Sequence, residues 1–269
     1  MIDYYARIAP TLLSHLAGRP VTLIRFPNGV EGKHFYEKNC PSHRPEWIRT
    51  ARVRAGDRSQ KMIDFCLCED RATLIWLAQL AALELHPSLS LAAEIERPTV
   101  LAFDLDPGPP ATIVECCHVA LLLRELFAGF GLECYPKSSG SKGMQVYVPL
   151  NGSATYERTK PYARAVAQAL ERSEPDLVVS QMKKSLRSGK VLVDWSQNTS
   201  SKTTVAAYSL RARERPTTST PLSWDEVSDA HDAAEPDCLR FEAGEVIERV
   251  ERHGDLFAPV LELEQELPA

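Results

Sequence analysis

Leu101-Ala102-Phe103-Asp104-Leu105-Asp106-Pro107-Gly108 opens apolar and then alternates apolar and acidic side chains from Phe103 to Asp106, until proline and glycine stop it. Residues i and i+2 of a strand share a face, so Asp104 and Asp106 point one way while Leu105 points the other. Two carboxylates held side by side repel each other, and hard divalent ions such as Mg²⁺ or Mn²⁺ prefer such oxygen ligands. Asp-Pro-Gly by itself also makes an ordinary turn, so the pair needs company. Val191-Leu192-Val193-Asp194-Trp195 reads as a second short strand that ends on one acid. If the two strands are neighbours, Asp104, Asp106 and Asp194 converge as metal ligands and catalytic carboxylates, the arrangement used for in-line phosphoryl displacement.

Two further segments offer phosphate-binding chemistry. Lys137-Ser138-Ser139-Gly140-Ser141-Lys142-Gly143 joins two strand-like stretches (132–136 and 144–149) and supplies hydroxyls, backbone N–H groups and two cations, a loop able to cradle phosphate oxygens. It lacks the GxxxxGK[ST] spacing and the following helix of a P-loop. Residues 203–210 read as a strand that delivers Arg211, a fork-shaped donor suited to a polyphosphate.

Around these segments the pattern is helix (3–17), strand (21–26), a polar, basic and aromatic stretch of little periodicity (30–61), and a helix over 71–85 stopped before Pro87. Strand 99–105, a long helix (112–130), the two strands flanking the loop, helix 156–172 and a short strand near 177–180 follow. The order predicts an α+β fold with mixed or antiparallel sheets and flanking helices, not a regular βαβ series. The 269 residues are expected to form one domain with an N-terminal subregion (1–98), a core (99–221) and an acidic helical segment (222–269).

The composition, 44% hydrophobic and 25% charged with net charge −5, is that of an ordinary globular chain and excludes a disordered or fibrous one. No apolar run approaches the about 18–20 residues that cross a bilayer. No secretory signal opens the sequence, so the cytoplasm is the expected compartment. The overall acidity hides an asymmetry: residues 222–269 carry fourteen acids against three bases, while residues 1–221 carry 28 bases against 22 acids. A local basic groove can hold a polyanion on an acidic protein. The seven cysteines form no CxxC pair, and their odd number argues for reduced thiols over a disulfide framework or a zinc site.

Taken together these segments resemble the polymerase domain of bacterial ligase D, a branch of the archaeo-eukaryotic primase superfamily. The likeness runs in order through Arg25-Phe26-Pro27-Asn28-Gly29-Val30, Phe35-Tyr36-Glu37-Lys38, Ala82-Leu83-Glu84-Leu85-His86, the Asp104/Asp106 stretch, Ser139-Gly140-Ser141-Lys142-Gly143, residues 190–198 and residues 202–211. It implies an archaeo-eukaryotic primase-like core and a nucleotidyltransferase. Such an enzyme extends a primer 3′-hydroxyl from nucleoside triphosphates, prefers ribonucleotides and manganese (or Mg²⁺), and fills short gaps during DNA repair. On this likeness Asp104, Asp106 and Asp194 match the metal ligands. Ser139, Lys142, Gln145, Arg211 and His86 fall at nucleotide-binding positions, and Phe35 and Tyr36 where aromatics meet template bases.

Two departures stand out. Gln145 occupies a position where the family has histidine, so a neutral amide replaces a group able to carry charge to the triphosphate. The chain also begins at the helix that follows the family's 5′-phosphate-gripping lysines. That implies a stand-alone primase-polymerase working with an ATP-dependent ligase of the ligase C type, with gap recognition left to Lys33, Lys38, Arg52 and Arg54. Two rival readings remain open: a non-catalytic module that binds DNA gaps or ends, and a phosphatase of the haloacid-dehalogenase type, which also uses Asp-x-Asp.

Overall fold

The computed structural model describes residues 1–54, 56 and 61–268. Two five-stranded sheets organise the chain. The N-terminal sheet is built on β1 (Pro20–Arg25), which pairs antiparallel with β2 (Phe35–Glu37), β4 (Met62–Leu67) and β5 (Ala82–Pro87), with β3 (Thr50–Arg54) beyond β4. Helix α1 (Ile2–Leu16) and helix α2 (Arg71–Gln79) pack on each other. Asp70 caps α2 by accepting the Thr73 N–H at 2.7 Å.

Two expectations fail in this half. Residues 71–85 are not one helix: α2 ends at Gln79, and Ala81 turns the chain in a left-handed conformation (φ 58°). Residues 82–87 then leave as β5, because their N–H and C=O groups find β1 across a register running from Val21↔Pro87 to Arg25↔Ala82. His86 is therefore a strand residue and not a helix end. Cys40 and Cys66 form a disulfide (Cα–Cα 4.9 Å), correcting the expectation of seven thiols. The Cys40 N–H donates to the Asp64 carbonyl, which lays residue 40 beside β4, a juxtaposition that a 26-residue separation in sequence does not announce.

The second sheet runs β7 (Tyr135–Ser138), β8 (Met144–Pro149), β6 (Val100–Pro107), β10 (Val191–Asp194), β9 (Val178–Val179). All pairs are antiparallel except β9 with β10. One face is a continuous apolar layer: Leu101, Phe103, Leu105, Met144, Val146, Val148, Val191 and Val193 are fully buried. They cluster with residues of α3 (Ile113–Gly129) and α4 (Tyr156–Ser173). A capping box at Thr112 and Glu115 starts α3. The other face looks toward the first core, where Val100, Ala102 and Tyr147 join α1 and residues 206–210.

Residues 203–210 are not a strand. They make only isolated bridges, Ser88↔Thr203 and Leu210↔Thr218, and belong to an excursion, residues 205–219, whose two limbs hydrogen-bond each other at Tyr208 N–H to Ser219 O and Ser219 N–H to Ser209 O. The acidic C-terminal segment is helical, with α5 (Trp224–Ala233), α6 (Ala243–His253) and the single turn α7 (Pro259–Glu262). It packs on the rest of the domain. Val227, Ala230 and Leu239 join one core, and Val246, Ile247, Phe257 and Val260 join the other. Arg249 holds Glu226 through two hydrogen bonds of 2.5 and 2.9 Å.

Candidate active site

Sheet register aligns the candidate residues before any side chain is considered. Lys137 lies opposite Gln145, Gln145 opposite Asp104, and Asp104 opposite Asp194. Residues directly opposite in antiparallel pairs project to one face. A single row, Lys137–Gln145–Asp104–Asp194, therefore crosses four strands, with Asp106 one step further along β6 on the same face. The Gln145 side-chain amide donates to Asp104 Oδ1 at 3.0 Å. Asp194, 7% exposed, accepts from the Ser196 N–H at 2.8 Å and from Gln197 Nε2 at 2.7 Å. β10 ends here, and the Asn198 side chain takes over its pairing by accepting the Ala102 N–H at 2.9 Å and donating to the Ala102 carbonyl at 2.8 Å.

Asp104 and Asp106 open into a cavity of about 330 Å³. Tyr36, His86, Ser139, Lys142, Gln145, Gln197, Thr203–Val205 and Arg211 also line it. Asp194 lies beside this wall, not on it. Among the described residues, no three Asp, Glu, His or Cys side chains are gathered as a ready ligand sphere. The electrostatics nevertheless favour a cation. Burial pushes the Asp104 carboxyl well above the usual carboxylate range, and the neighbouring Asp106 charge adds to it. Burial and the charge of Asp194 also raise the Asp106 pKa, against the pull of Arg187 and Arg211. A divalent ion among these oxygens relieves all three acids at once, so the donor set fits one.

The loop after β7 seats directly on β6. Gly143 is required there, because a Cβ would stand 2.0 Å from the Leu105 carbonyl, between the two acids. Gly140 adopts φ 66° and leaves no room for a Cβ against Thr218 and Arg211. The Ser139 hydroxyl accepts the N–H groups of Ser141 (3.2 Å) and Gly143 (3.3 Å), so it shapes the loop. Lys142 is exposed. Lys137 is not the second cation of a phosphate cradle: it is 1% exposed and lies in the floor, its ammonium donating to the Val205 carbonyl at 3.0 Å and Ser219 Oγ at 2.7 Å.

On the opposite wall, Glu84 organises two candidate residues. It shares a 3.0 Å hydrogen bond with His86 and a 3.4 Å ion pair with Arg211, and its other oxygen accepts the Ala212 N–H. Burial would raise its pKa, but His86, Arg211 and that N–H outweigh burial and hold it low. Burial lowers the His86 pKa, with Glu84 opposing, which favours a neutral imidazole. Arg211 Nε is buried and has no hydrogen-bond partner among the described residues, leaving a donor for a ligand.

The aromatic pair is at the surface and not in the core. Phe35 is 42% and Tyr36 68% exposed. Arg25 lies 5.1 Å over the Phe35 ring and pairs with Glu37 at 2.8 Å. Lys38 donates to the Ser201 carbonyl at 3.1 Å, while Arg52 and Arg54 line a separate cleft of about 750 Å³ with Lys160 and residues 199–201. Lys33 is exposed on the segment before β2 and joins neither cavity. The sequence reading missed Glu84, Gln197 and the floor position of Lys137. Glu84 and Gln197 stood inside matching stretches but carried no signal of their own.

A model of the LigD primase-polymerase domain family matches residues 1–257. The chain is 41% identical over 264 residues to the multifunctional non-homologous end joining protein LigD of Mycolicibacterium smegmatis, covering 97% of this chain and 33% of that protein. It is 42% identical over 266 residues to the multifunctional non-homologous end joining DNA repair protein LigD of Mycobacterium tuberculosis, covering 95% and 34%. Against the bifunctional non-homologous end joining protein LigD of Bacillus subtilis the identity is 33% over 254 residues, covering 94% and 39%. The chain thus spans about a third of the length of these curated relatives. Among solved structures, the polymerase domain of M. tuberculosis ligase D in complex with DNA superposes with a TM-score of 0.87 at 39% identity, covering 98% of this chain and 92% of that one.

Proposed function

The chain belongs to the LigD primase-polymerase domain family, and on that premise we propose that it is a metal-dependent nucleotidyltransferase that adds nucleotides to a primer 3′-hydroxyl, ribonucleotides in preference. It fills short gaps in bacterial DNA repair, by end joining or excision repair. The observation that carries this reading is the cavity itself. Two repelling carboxylates form one wall, and an exposed lysine and an arginine with an unpaired N–H line the same space.

Asp104, Asp106 and Asp194 are the residues to hold divalent ions, manganese or magnesium. When bound, such ions lower the pKa of the primer hydroxyl and neutralise charge on the departing pyrophosphate. Gln145 orients the Asp104 carboxylate by donating to Oδ1, which leaves its other oxygen for an ion. Lys142, Arg211 and the loop N–H groups hold the triphosphate in line, and the Ser139 hydroxyl keeps those N–H groups in place. His86, buried and biased toward its neutral form, lines the cavity as a hydrogen-bonding group and not as a charge.

Tyr36 and Phe35 stack template bases, a contact worth about 1–3 kcal/mol per base and indifferent to sequence. Lys38, Arg52 and Arg54 track the strand beyond the cavity, and Lys33 adds a peripheral phosphate contact. The whole chain works as one catalytic unit, with 1–98 carrying the nucleic-acid surface, 99–221 the ion and nucleotide site, and 222–269 a supporting acidic segment. Its partners are gapped or primer-template DNA, nucleoside triphosphates and an ATP-dependent ligase of the ligase C type. Its place is the bacterial cytoplasm, at the nucleoid during repair, and no helix among the described residues is long and apolar enough to cross a membrane.

Extension of a gapped duplex with Mn²⁺ and ribonucleotides is the test. Extension that vanishes in Asp104→Ala/Asp106→Ala while DNA binding persists supports the reading. Binding without extension by the unaltered chain would replace it with a DNA-end module. Hydrolysis of a small phosphate ester without DNA would replace it with a phosphatase.

A further inference from the structure

Lys137 is the one member of the four-strand row that the polymerisation scheme leaves idle. Its environment is unusual for a lysine. The side chain is fully enclosed, its ammonium sits 5.5 Å from the Tyr147 ring centre, and both its protein hydrogen bonds go to the 205–219 excursion. Val205 stands on the outgoing limb and Ser219 on the returning limb, so one ammonium joins the two. Ser219 Oγ in turn donates to the Ser138 carbonyl at 3.0 Å, next to Lys137 in β7. Toward the outer end of the excursion, Arg211 on the outgoing limb donates its backbone N–H to the Thr217 carbonyl on the returning limb at 2.8 Å.

This excursion has no sheet ladder of its own to hold it. Besides the Lys137 pair, contacts that fasten it to the second sheet and its loop include the Ser138 N–H to the Thr220 carbonyl, the Thr220 N–H to Ser138 Oγ, Ser219 Oγ to the Ser138 carbonyl, Thr217 Oγ1 to the Gly140 carbonyl and Arg213 to Ser141; of these, only the lysine reaches both limbs with one group. We propose that Lys137 is a positioning residue for nucleotide binding: its ammonium clamps both limbs of the excursion to the floor of the carboxylate row, and so holds Arg211 over the cavity. The inference rests on the polymerase reading and adds to it a residue that touches neither ion nor nucleotide.

The cost of the arrangement argues that it is used. Burial pulls the Lys137 pKa down to about 7, with Asp104 across the row opposing and Arg211 adding to the fall. A methionine of similar length would fill the space without that cost, but it would leave the Val205 carbonyl and Ser219 hydroxyl without their donor.

The experiment is a double-mutant cycle. Lys137→Met, Arg211→Ala and the double variant are compared with the unaltered chain by primer-extension kinetics. They are also compared by equilibrium binding of a non-hydrolysable nucleotide to the DNA complex, and by thermal unfolding. Lys137→Met is expected to raise nucleotide KM and Kd about tenfold while kcat changes less than about threefold, with the double variant within about threefold of the worse single variant. Ser219→Ala, which removes one of the two clamp contacts along with the Ser219–Ser138 hydrogen bond and no charge, moves nucleotide Kd the same way by about threefold.

A merely structural lysine would lower the unfolding temperature, leave nucleotide Kd of the folded protein unchanged, and combine additively with Arg211→Ala. That outcome overturns the proposal. If Lys137→Met does not fold, Ser219→Ala with an unchanged Kd overturns it too. Should the unaltered chain neither bind nucleotide nor extend a primer, the polymerase reading is what has failed.

Discussion

Strand β6 has two faces that obey opposite physics. Leu101, Phe103 and Leu105 face α3 and α4 in a layer from which water is excluded, and each gains free energy from burial. Ala102, Asp104 and Asp106 face the other way, and there burial works against the acids, raising both carboxyl pKa values. The same eight residues therefore carry the fold on one side and a destabilised site on the other. The apolar face makes the polar face possible: a rigid sheet can hold like charges close only if its other side is packed well enough to resist their repulsion.

Removing the acids from the polar face produces the largest effects, and in opposite directions. Asp104→Asn is expected to reduce primer extension by about 10³-fold or more, since an ion ligand is lost. The same change is expected to stabilise the metal-free chain at pH 8 by on the order of 1–3 kcal/mol. The sign follows from proton counting. With its pKa raised in the folded state, Asp104 keeps a proton that the unfolded chain releases, so its contribution falls as pH climbs from about 4 toward the raised value. The stability difference between Asp104→Asn and the unaltered chain should thus widen between about pH 4 and neutrality, as measured by urea unfolding with chelator present. A difference flat across that range would mean that the acid is not strained and that the two faces are alike.

A cut on the other face tests the complementary half. Phe103→Ala opens a cavity between β6 and Phe127 of α3, whose rings lie 5.7 Å apart. It is expected to cost about 3–5 kcal/mol of stability. Activity per folded molecule at low temperature should stay within about threefold, because no cavity-lining group is touched. A collapse of activity without loss of stability would show that the apolar layer tunes the site and does not merely support it.

How much of this was legible depended on which face a residue served. The apolar layer and the acids announce themselves through the alternation in 103–106 and the short apolar run 191–193 that ends on Asp194, and the sheet register then brings Asp194 opposite Asp104. The 82–87 stretch defeated the same logic. Ala-Leu-Glu-Leu-His is rich in helix formers, and only pairing with β1 after the left-handed turn at Ala81 makes it a strand. The 205–219 excursion was illegible for another reason: its shape comes from contacts far apart in sequence, such as Lys137 with Val205 and Ser219 and Thr217 with Gly140, and not from a ladder that leaves a periodic trace. Lys137 itself reads as a loop cation in sequence, because nothing local distinguishes a lysine facing solvent from one facing the floor.

Moving away from β6 across the polar side, the effects become smaller and more specific. Tyr36 lines the cavity with more than half its surface exposed, so Tyr36→Ala removes little packing. The expected result is weaker binding of primer-template DNA by about 1–3 kcal/mol, with unfolding temperature and nucleotide Kd unchanged. Fluorescence anisotropy with labelled duplex measures it. Equal DNA affinity in the variant would confine template contact to the apolar-backed sheet and remove the aromatic platform from the scheme.

The smallest change, Gln145→His, sharpens the comparison within the row itself. Gln145 gives Asp104 one neutral hydrogen bond. An imidazole there can keep that bond and, below neutral pH, can carry a charge that an amide cannot. A second cation in the row then offsets the acids and adds attraction for a triphosphate. Nucleotide Kd is expected to tighten about two- to fivefold at pH 6, where the imidazole is charged. The gain should shrink at pH 8, where it is neutral; Lys137, already in the row, contributes equally to both proteins. Calorimetric titration of nucleotide at the two pH values separates the cases. A Kd that does not improve at pH 6 would mean that position 145 serves only to orient Asp104, for which an uncharged amide suffices.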